Sequence, residues 1–436
     1  MLSEVKTQPR SLQEYKGLMS NGLFNEINTL GAGLKGLNVY MVNATPAGGG
    51  VAEMLISLIP LLQSVGINGK WFTIPPRADF FEVTKGIHNS LQSKPWDFPF
   101  AAREIYLAHT KETAALMRDM KPDVWIIHDP QPAGVVLYLD LSPAALRIHI
   151  DLTAPNPAVW KFISGFGAGY EKIIVSSPAF VRPEISSKAV IFTPAIDVFS
   201  AKNRPVDLAE AKKIVKKVGI DPNRPLMAQV SRFDPWKDPF GVISAYKIAK
   251  KKIPSLQLVI AGFMEAQDDP EGAVIYETVR KAAVKEKDVF LLSDPSVLGG
   301  MKISVFTNAI QAAADVVVQN STKEGFGLVV TEAMWKGKPV VGGLAEGLKT
   351  QIEDGENGFL VATPEAMAKR ICQLAENKAL QERMGKKARK TVQDQFLMPR
   401  LVRDYMRLFN SLLGADKRQP VAIGQQQKVQ EVPAAI

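Results

Sequence analysis

The sequence predicts an α/β protein of two doubly wound domains facing a cleft. Three observations predict it. Short apolar runs rich in Val and Ile alternate with segments of helical periodicity, and this alternation occurs in two successive series. A polar, proline-marked stretch, PAIDVFSAKNRPVD at 194–207, separates the two series. Alternating strand and helix produces parallel sheets covered on both faces, whose strands read as continuous apolar runs.

The first series comprises LNVYMVNAT (37–45), DVWIIHD (123–129), LRIHIDL (146–152), KIIVSS (172–177) and AVIFTP (189–194). Each is too short for a helix and has strand composition. Between them, VAEMLISLIPLLQSVG (51–66) carries a helical period. The second series comprises LMAQVSR (226–232), LQLVIAG (256–262), DVFLLS (288–293), DVVVQNS (315–321) and KPVVGG (338–343). From about 364 the chain reads as helix, first PEAMAKRICQLAENKALQERMGKKARKTVQDQF and then MPRLVRDYMRLFNSLLG. The expected units are a first domain over 1–200, a second over 201–395 and a C-terminal helix over 396–413. The tail 414–436, rich in Gln, Val and Ala without periodicity, is expected to be disordered. No repeat at a solenoid period is present.

Composition narrows the class. With 46% hydrophobic and 22% charged residues over 436 positions, the chain is of globular type. No apolar run approaches the roughly 18 residues of a membrane span. The opening MLSEVKTQPRSLQEY lacks the apolar stretch of a secretory signal. A single cysteine, Cys372, excludes an intramolecular disulfide and a cysteine-cluster zinc site, which points to a reducing, cytoplasmic setting. His88, His109, His128 and His149 show no metal-type spacing, so no metal site is expected. The net charge of +9 lies largely in runs such as AKKIVKKVG (211–219) and MGKKARK (384–390), which read as solvated helix faces. No nucleic-acid signature accompanies it.

In open α/β sheets ligands bind beyond the carboxyl ends of the strands, so three loops hold the candidate chemistry. TPAGGGVAE (45–53) follows the first strand and precedes a helix. Its glycines, Gly49 and Gly50 among them, let backbone amides approach a phosphate, and the helix N-terminus adds positive potential. The loop is neither GxGxxG nor a Walker sequence. In SRFDPWKD (231–238), Arg232 and Lys237 flank a proline-stiffened turn. A forked guanidinium and a point-charge ammonium suit a diphosphate leaving group and stabilise the charge it gains on departure.

The third loop, within NSTKEGFGLVVTEAMWKGKPVVGG (320–343), carries Glu324 and Glu332 eight residues apart, the second on a helix. They do not make a glycosidase pair, which must flank one bond at about 5–5.5 Å in retaining enzymes. Carboxylates accept hydrogen bonds from paired hydroxyls, so Glu324 suits a transferred sugar and Glu332 a ribose. The amides of Gly325, Phe326, Gly327 and Leu328, at a helix N-terminus, suit phosphates.

These three elements together resemble the retaining family 4 glycosyltransferases of GT-B fold, over about residues 36–412. HDPQP (128–132), HIDLTAPN (149–156), VSRFDPWKD (230–238), DDPEG (268–272), EGFGLVVTEAMWKGKPVV (324–341) and QIEDGENGFLV (351–361) are similar to the trehalose glycosyltransferring synthases within it. FFEVTKGIHNSLQ (80–92) also looks like that subgroup. The resemblance implies transfer of glucose from an NDP-glucose to free glucose, giving the α,α-1,1-linked disaccharide. Nucleotide-sugar and glucose or trehalose are then the partners, and no cofactor is permanently bound. It also implies C-terminal helices that cross back to the first domain.

Carried onto this chain, the resemblance puts Gly49 and Gly50 over the donor phosphates and Arg232 and Lys237 on the diphosphate. Glu332 meets the ribose, Glu324 the glucose hydroxyls, and His149 the 6-hydroxyl region of the donor sugar. His128, Asp129, Gln131 and Asp151 fall on the acceptor side, with Lys85, His88 and Asn89 in reach of it. Retention without a placed nucleophile implies front-face transfer. Asp268-Asp269 belong to the DDPEG loop rather than to a metal-binding DxD, and magnesium enters only as an assistant to nucleotide binding. A homodimer is left open.

One departure stands out. In AEGLKTQI (345–352), Glu346 occupies the place of a family glycine, and KPVVGGL (338–344) lacks an expected arginine. A carboxylate near phosphates repels them, so Glu346 must point away, pair with a cation or change the donor. Three readings follow: an NDP-glucose-dependent trehalose synthase, a trehalose phosphorylase using inorganic phosphate, and a catalytically impaired binding protein. The full set of Arg232, Lys237, Glu324 and Glu332 argues against the last.

Overall fold

The chain is described here by a computed structural model, over residues 1–263 and 271–414. Among these residues two sheets carry the fold. The first contains β1 (Ser3–Glu4), β2 (Asn38–Asn43), β3 (Asn68–Thr73), β4 (Val124–His128), β5 (Ala144–Arg147), β6 (Lys172–Val175) and β7 (Ala189–Ile191). Their spatial order is β1-β3-β2-β4-β5-β6-β7. The second contains β8 (Leu226–Val230), β9 (Gln257–Ala261), β10 (Val289–Leu292), β11 (Val316–Gln319), β12 (Val340–Gly342) and β13 (Gly358–Leu360), in the order β10-β9-β8-β11-β12-β13.

Every pairing is parallel except that of β1 with β3, Ser3 opposite Thr73. Both sheets are doubly wound. From β2 the chain steps outward to β3 and then crosses back to β4, while from β8 it runs outward through β9 and β10 before returning to β11. The loops leaving β2 and β4, and those leaving β8 and β11, therefore diverge and open a crevice at the carboxyl ends.

β4, β8, β9 and β11 are buried at every position, which is why their sequences are mostly apolar. The strand expected at 146–152 lies earlier, at Ala144–Arg147. Its two alanines fit between neighbouring strands, and after Arg147 the chain is drawn out of the ladder when the His149 N–H bonds Asp129 Oδ1 at 2.7 Å. β1, β3 and β13 were not anticipated. β3 reads NGKWFT, its exposed Asn68 and Lys70 breaking the apolar run, and β1 is only two residues long.

One apolar core runs from Leu58 and Leu62 under the first sheet, through Ile196 and Met398, to Phe306 and Val330 under the second. The chain passes between the domains twice, and the two passages run side by side. The Ile196 N–H donates to the Phe396 carbonyl at 2.9 Å, and the Met398 N–H donates back to Ile196 at 3.3 Å. Arg400 donates to the carbonyls of Thr193 and Pro194 at 2.8 and 2.7 Å. The final helix, Met398–Leu412, then packs on helices Asn21–Gly33 and Gly50–Ser64 of the first domain. From it the Tyr405 hydroxyl accepts a 2.7 Å hydrogen bond from Arg147, a fully buried guanidinium at the end of β5.

Candidate active site

The loop after β8 is anchored by side-chain caps. The Asp234 carboxylate caps the turn Pro235–Lys237 through the Trp236 N–H at 2.9 Å. Asp238, at φ 42°, caps helix Pro239–Lys252 through the Gly241 N–H at 2.9 Å. Asn320, leaving β11, donates to the same Asp238 carboxylate at 2.7 Å and locks the two loops together. Lys237 emerges between these anchors, and its ammonium lies 2.5 Å from Glu324 Oε2. Ser321 Oγ donates to that same oxygen at 3.0 Å. Arg232 is exposed on the loop, and its charge reaches both His88 and Asp234.

Glu324 faces the first domain directly. Its N–H points at Asp151 Oδ2, 3.4 Å away, while Asp151 Oδ1 accepts from the Thr153 N–H at 2.9 Å. The neighbouring Lys323 donates to Thr153 Oγ1 at 2.7 Å and lies 3.9 Å from Asp151. Gly325 presses on the backbone of His149, where a Cβ would run into the His149 carbonyl oxygen. Trp236 Nε1 approaches Asn89 Oδ1 at 3.5 Å, a further contact across the cleft. The cleft is closed in this conformation.

On the first-domain side, His128 and His149 stack with ring centroids 5.3 Å apart, and His128 Nδ1 and His149 Nε2 are 3.0 Å apart, one nitrogen donating to the other. Burial first, and the positive charge of Arg147 second, hold both rings well below the ordinary histidine range, so both are neutral. Burial also pushes the Asp129 carboxyl up to about 7, against the opposing pull of the His149 N–H and Arg147. Asp129 has φ 66°, a backbone conformation that turns its side chain back onto the segment after β5. His128 Nε2 and Gln131 Oε1 are buried without a hydrogen-bond partner. Buried polar atoms in that state mark a place where another polar group belongs. His88 lies beside Gln92 at 3.2 Å, and burial, helped by Lys85 and Arg232, lowers it to about 4.

Glu332 makes a separate set of contacts. It lies on helix Leu328–Trp335 with only 1% exposure. Its Oε1 is 3.0 Å from the ammonium of Lys202, and its Oε2 is buried with no partner. Gly50, at the start of helix Gly50–Ser64, sits against Leu328, and Gly49 is that helix's N-cap with open space around it. Gly327 is the N-cap of helix Leu328–Trp335, so the backbone from Gly325 to Leu328 leads into its positive end.

Glu346 is engaged from both domains. Its Oε1 accepts from Ser177 Oγ of the first domain at 3.1 Å, and its Oε2 lies 3.7 Å from Lys349. The next residue, Gly347, is packed so closely that a Cβ would meet the Glu324 carbonyl oxygen at 2.6 Å. Asp268 and Asp269 lie outside the described residues, as do 415–436. Among the described residues no cluster of three or more His, Cys, Asp or Glu is arranged to hold a metal ion, and no helix is long and apolar enough to cross a membrane.

The expected residues thus gather around one crevice, in two groups. At its centre Lys237 pairs with Glu324, whose N–H points at Asp151 while Gly325 packs on the His149 backbone, and Glu332 instead pairs with Lys202. Sequence reasoning missed Lys202, Ser177, Ser321 and Lys323. Lys323 and Ser321 sit in the same loop as Glu324, so that loop was the signal. Lys202 and Ser177 gave none, because their partners are distant along the chain.

Family models match both halves: "Trehalose synthase, N-terminal domain" over residues 41–182 and "Glycosyl transferases group 1" over 210–391. A trehalose synthase of Pyrococcus horikoshii is 40% identical over 420 residues, covering 95% of this chain and 100% of that protein. The chain belongs to the trehalose synthase family of glycosyltransferases. A trehalose phosphorylase of Pleurotus pulmonarius is more distant, 27% identical over 88% of this chain and 58% of its own length. Among solved structures, a UDP-forming α,α-trehalose-phosphate synthase from Burkholderia xenovorans aligns with a TM-score of 0.67 at 12% identity, covering 86% of this chain and 100% of that one. An Anabaena protein solved in complex with UDP and glucose aligns with a TM-score of 0.61 at 17% identity, over 86% and 99%. The architecture of this family member is GT-B, with the C-terminal helix crossing back to the first domain.

Proposed function

We propose that this member of the family is a retaining glucosyltransferase that makes trehalose reversibly from an NDP-glucose and free glucose. The observation that carries the reading is the Lys237–Glu324 pair set across the closed cleft from the first domain, with the Glu324 N–H aimed at Asp151 and the adjoining Gly325 packed on the His149 backbone. A cation, a carboxylate and neutral hydrogen-bonding groups converge there from two domains, as a reaction between two bound sugars requires.

In this reading Lys237 and Arg232 receive the diphosphate, Glu324 holds the glucose hydroxyls and His149, kept neutral, donates to or accepts from the donor sugar. The bond from C1 to the diphosphate oxygen breaks. The bond from C1 to the acceptor oxygen forms on the same face, and the acceptor proton passes to the departing diphosphate. Fixed cations stabilise the charge that the diphosphate gains. The unpartnered His128 Nε2 and Gln131 Oε1, with Asp151, supply the acceptor side. The unpartnered Glu332 Oε2 supplies an acceptor for a ribose hydroxyl, which favours a nucleotide over inorganic phosphate. The nucleotide sugar is a substrate, so no resident cofactor is called for, and magnesium accompanying the nucleotide is compatible. Glu346, engaged by Ser177 and Lys349, gives little support to a catalytically impaired protein.

The test uses the reverse reaction. Trehalose is supplied with UDP, ADP, GDP or inorganic phosphate separately, and the sugar products are identified. Glucose with a nucleotide-linked glucose from at least one nucleotide is expected. Glucose 1-phosphate from phosphate, with all three nucleotides inert, would replace this reading with a phosphorylase.

A further inference from the structure

The segment between β7 and helix Leu208–Lys216 is fastened to both domains. Asp197 is tied to the first by the Tyr15 hydroxyl at 2.6 Å, Ser57 Oγ at 3.0 Å and Arg10 at 3.0 Å. A few residues on, the backbone is tied to the second. Asn308 donates to the carbonyls of Ala201 and Arg204 at 3.2 and 2.9 Å, and Trp335 Nε1 donates to that of Asn203 at 3.2 Å. Lys202 therefore starts from backbone held by the second domain. Its ammonium lies 3.0 Å from Glu332 Oε1 and also 3.0 and 3.1 Å from the two oxygens of Glu53, on the first-domain helix Gly50–Ser64.

Glu332 needs such a cation. A carboxylate with 1% exposure is disfavoured by burial, which raises its proton affinity, and the negative charge of Glu53 raises it further. Lys336 is also close, but it donates to the Glu332 backbone carbonyl, to Gln311 and to Asn203 rather than to the carboxylate, and burial lowers its own ammonium to about 7. Lys202 is of the opposite kind. Burial works against its charge, yet the attraction of Glu332 and Glu53 outweighs it and holds the ammonium protonated well above the ordinary lysine range.

We propose that Lys202 is a positioning residue for the nucleotide: by holding Glu332 Oε1 it turns that carboxylate so that the buried, unpartnered Oε2 receives the ribose hydroxyls of a nucleoside diphosphate. The inference rests on the reading of Glu332 as the ribose carboxylate. Glu53 braces Lys202 from the other domain, so the arrangement is complete only with the cleft closed.

Binding of UDP, ADP and GDP, each beside its 2′,3′-dideoxy analogue, tests both statements by calorimetry on the full chain. Wild type is expected to bind at least one ribonucleotide about 10–100-fold more tightly than its dideoxy partner, the range for hydrogen bonds to a charged group. Lys202→Met should reduce that ratio to about two or less, and Lys202→Arg should restore most of it. Glu53→Gln, at a half-exposed position, loosens Lys202 without emptying a core site and should reduce the ratio at least twofold. If wild type shows no preference for the ribonucleotides, the ribose reading of Glu332 fails. If wild type shows it and Lys202→Met and Glu53→Gln keep it in full, the role of Lys202 fails while the ribose reading stands. Should Lys202→Met not fold, Glu53→Gln alone decides.

Discussion

Lys237 and Glu324 are bound to each other: the ammonium lies 2.5 Å from the carboxylate, with Ser321 Oγ on the same oxygen. The group assigned to the leaving diphosphate is thus aligned by the group assigned to the sugar. Lys237→Ala should lower kcat about 10²-fold or more, the loss typical of one charge-stabilising donor. Steady-state kinetics on protein with an unchanged melting curve would check it. Activity within twofold of wild type would remove Lys237 from the chemistry.

The two glutamates should differ in what they affect. Glu332→Ala is expected to raise the KM for the nucleotide sugar with little change in kcat, because a ribose contact is the same in ground and transition states. Glu324→Gln is expected to lower kcat, because contacts to the reacting sugar strengthen as charge develops. An identical pattern in both variants would refute this division of roles.

Closure depends on Gly325. Any side chain there meets the His149 carbonyl, so Gly325→Ala should hold the domains apart while each still folds. A larger radius of gyration with saturating nucleotide sugar, and a kcat/KM reduced at least 10²-fold by misplacement across the cleft, are the expected results. Wild-type scattering and wild-type turnover in this variant would show that the closed contact is dispensable.

Glu346 is committed to Ser177 and Lys349, so its removal should matter little for donor chemistry. Glu346→Ala should leave kcat and the donor KM within about fivefold of wild type, in line with the loss of about 1 kcal/mol for one part-exposed hydrogen bond. A tenfold gain in activity would instead identify Glu346 as a charge opposing the phosphates.

Stability should fall as the solution is acidified. His88, His109, His128 and His149 are all held below the ordinary value of 6.5, with burial the largest cause in each. The unfolded chain takes up these protons first, so their contribution is complete above pH 6.5 and is lost as pH drops below it. Asp129, raised to about 7, and Glu332, also raised, act in the opposite sense, losing stability as pH rises from the unfolded carboxyl range. The histidines are expected to dominate between pH 7.5 and 5, giving a net loss on acidification. Denaturant midpoints between pH 7.5 and 5 should decline, and His128→Asn should make the decline shallower. A midpoint that rises toward pH 5 would contradict the assignment.

How legible all this was depended on distance along the chain. Val124–His128 and Val316–Gln319 were readable because burial on both faces leaves an uninterrupted apolar signature. NGKWFT was not, because Asn68 and Lys70 interrupt it, and Ala144–Arg147 was displaced toward His149 because alanines carry little strand signal. Glu324, Lys237 and His149 could be singled out as candidates because each lies on a loop just past a strand end. What held them could not. Lys202 sits in a polar stretch that reads as solvent-exposed linker, and only the folded chain brings it to Glu332 and Glu53. Likewise Arg147 finds Tyr405, which no local pattern announces.

The return of Met398–Leu412 to the first domain has a consequence for how the molecule is made. In topological terms everything from Leu208 to Gln395 is an insertion within the first domain, whose last helix is also the last one described. During vectorial synthesis β2 to β7 leave the ribosome long before that helix does. Until it arrives, the Arg147 guanidinium has no Tyr405 to bond, and the apolar faces of Asn21–Gly33 and Gly50–Ser64 lack their cover. The first half to be translated is therefore the last to be finished, while the inserted half can complete its own sheet in the interval.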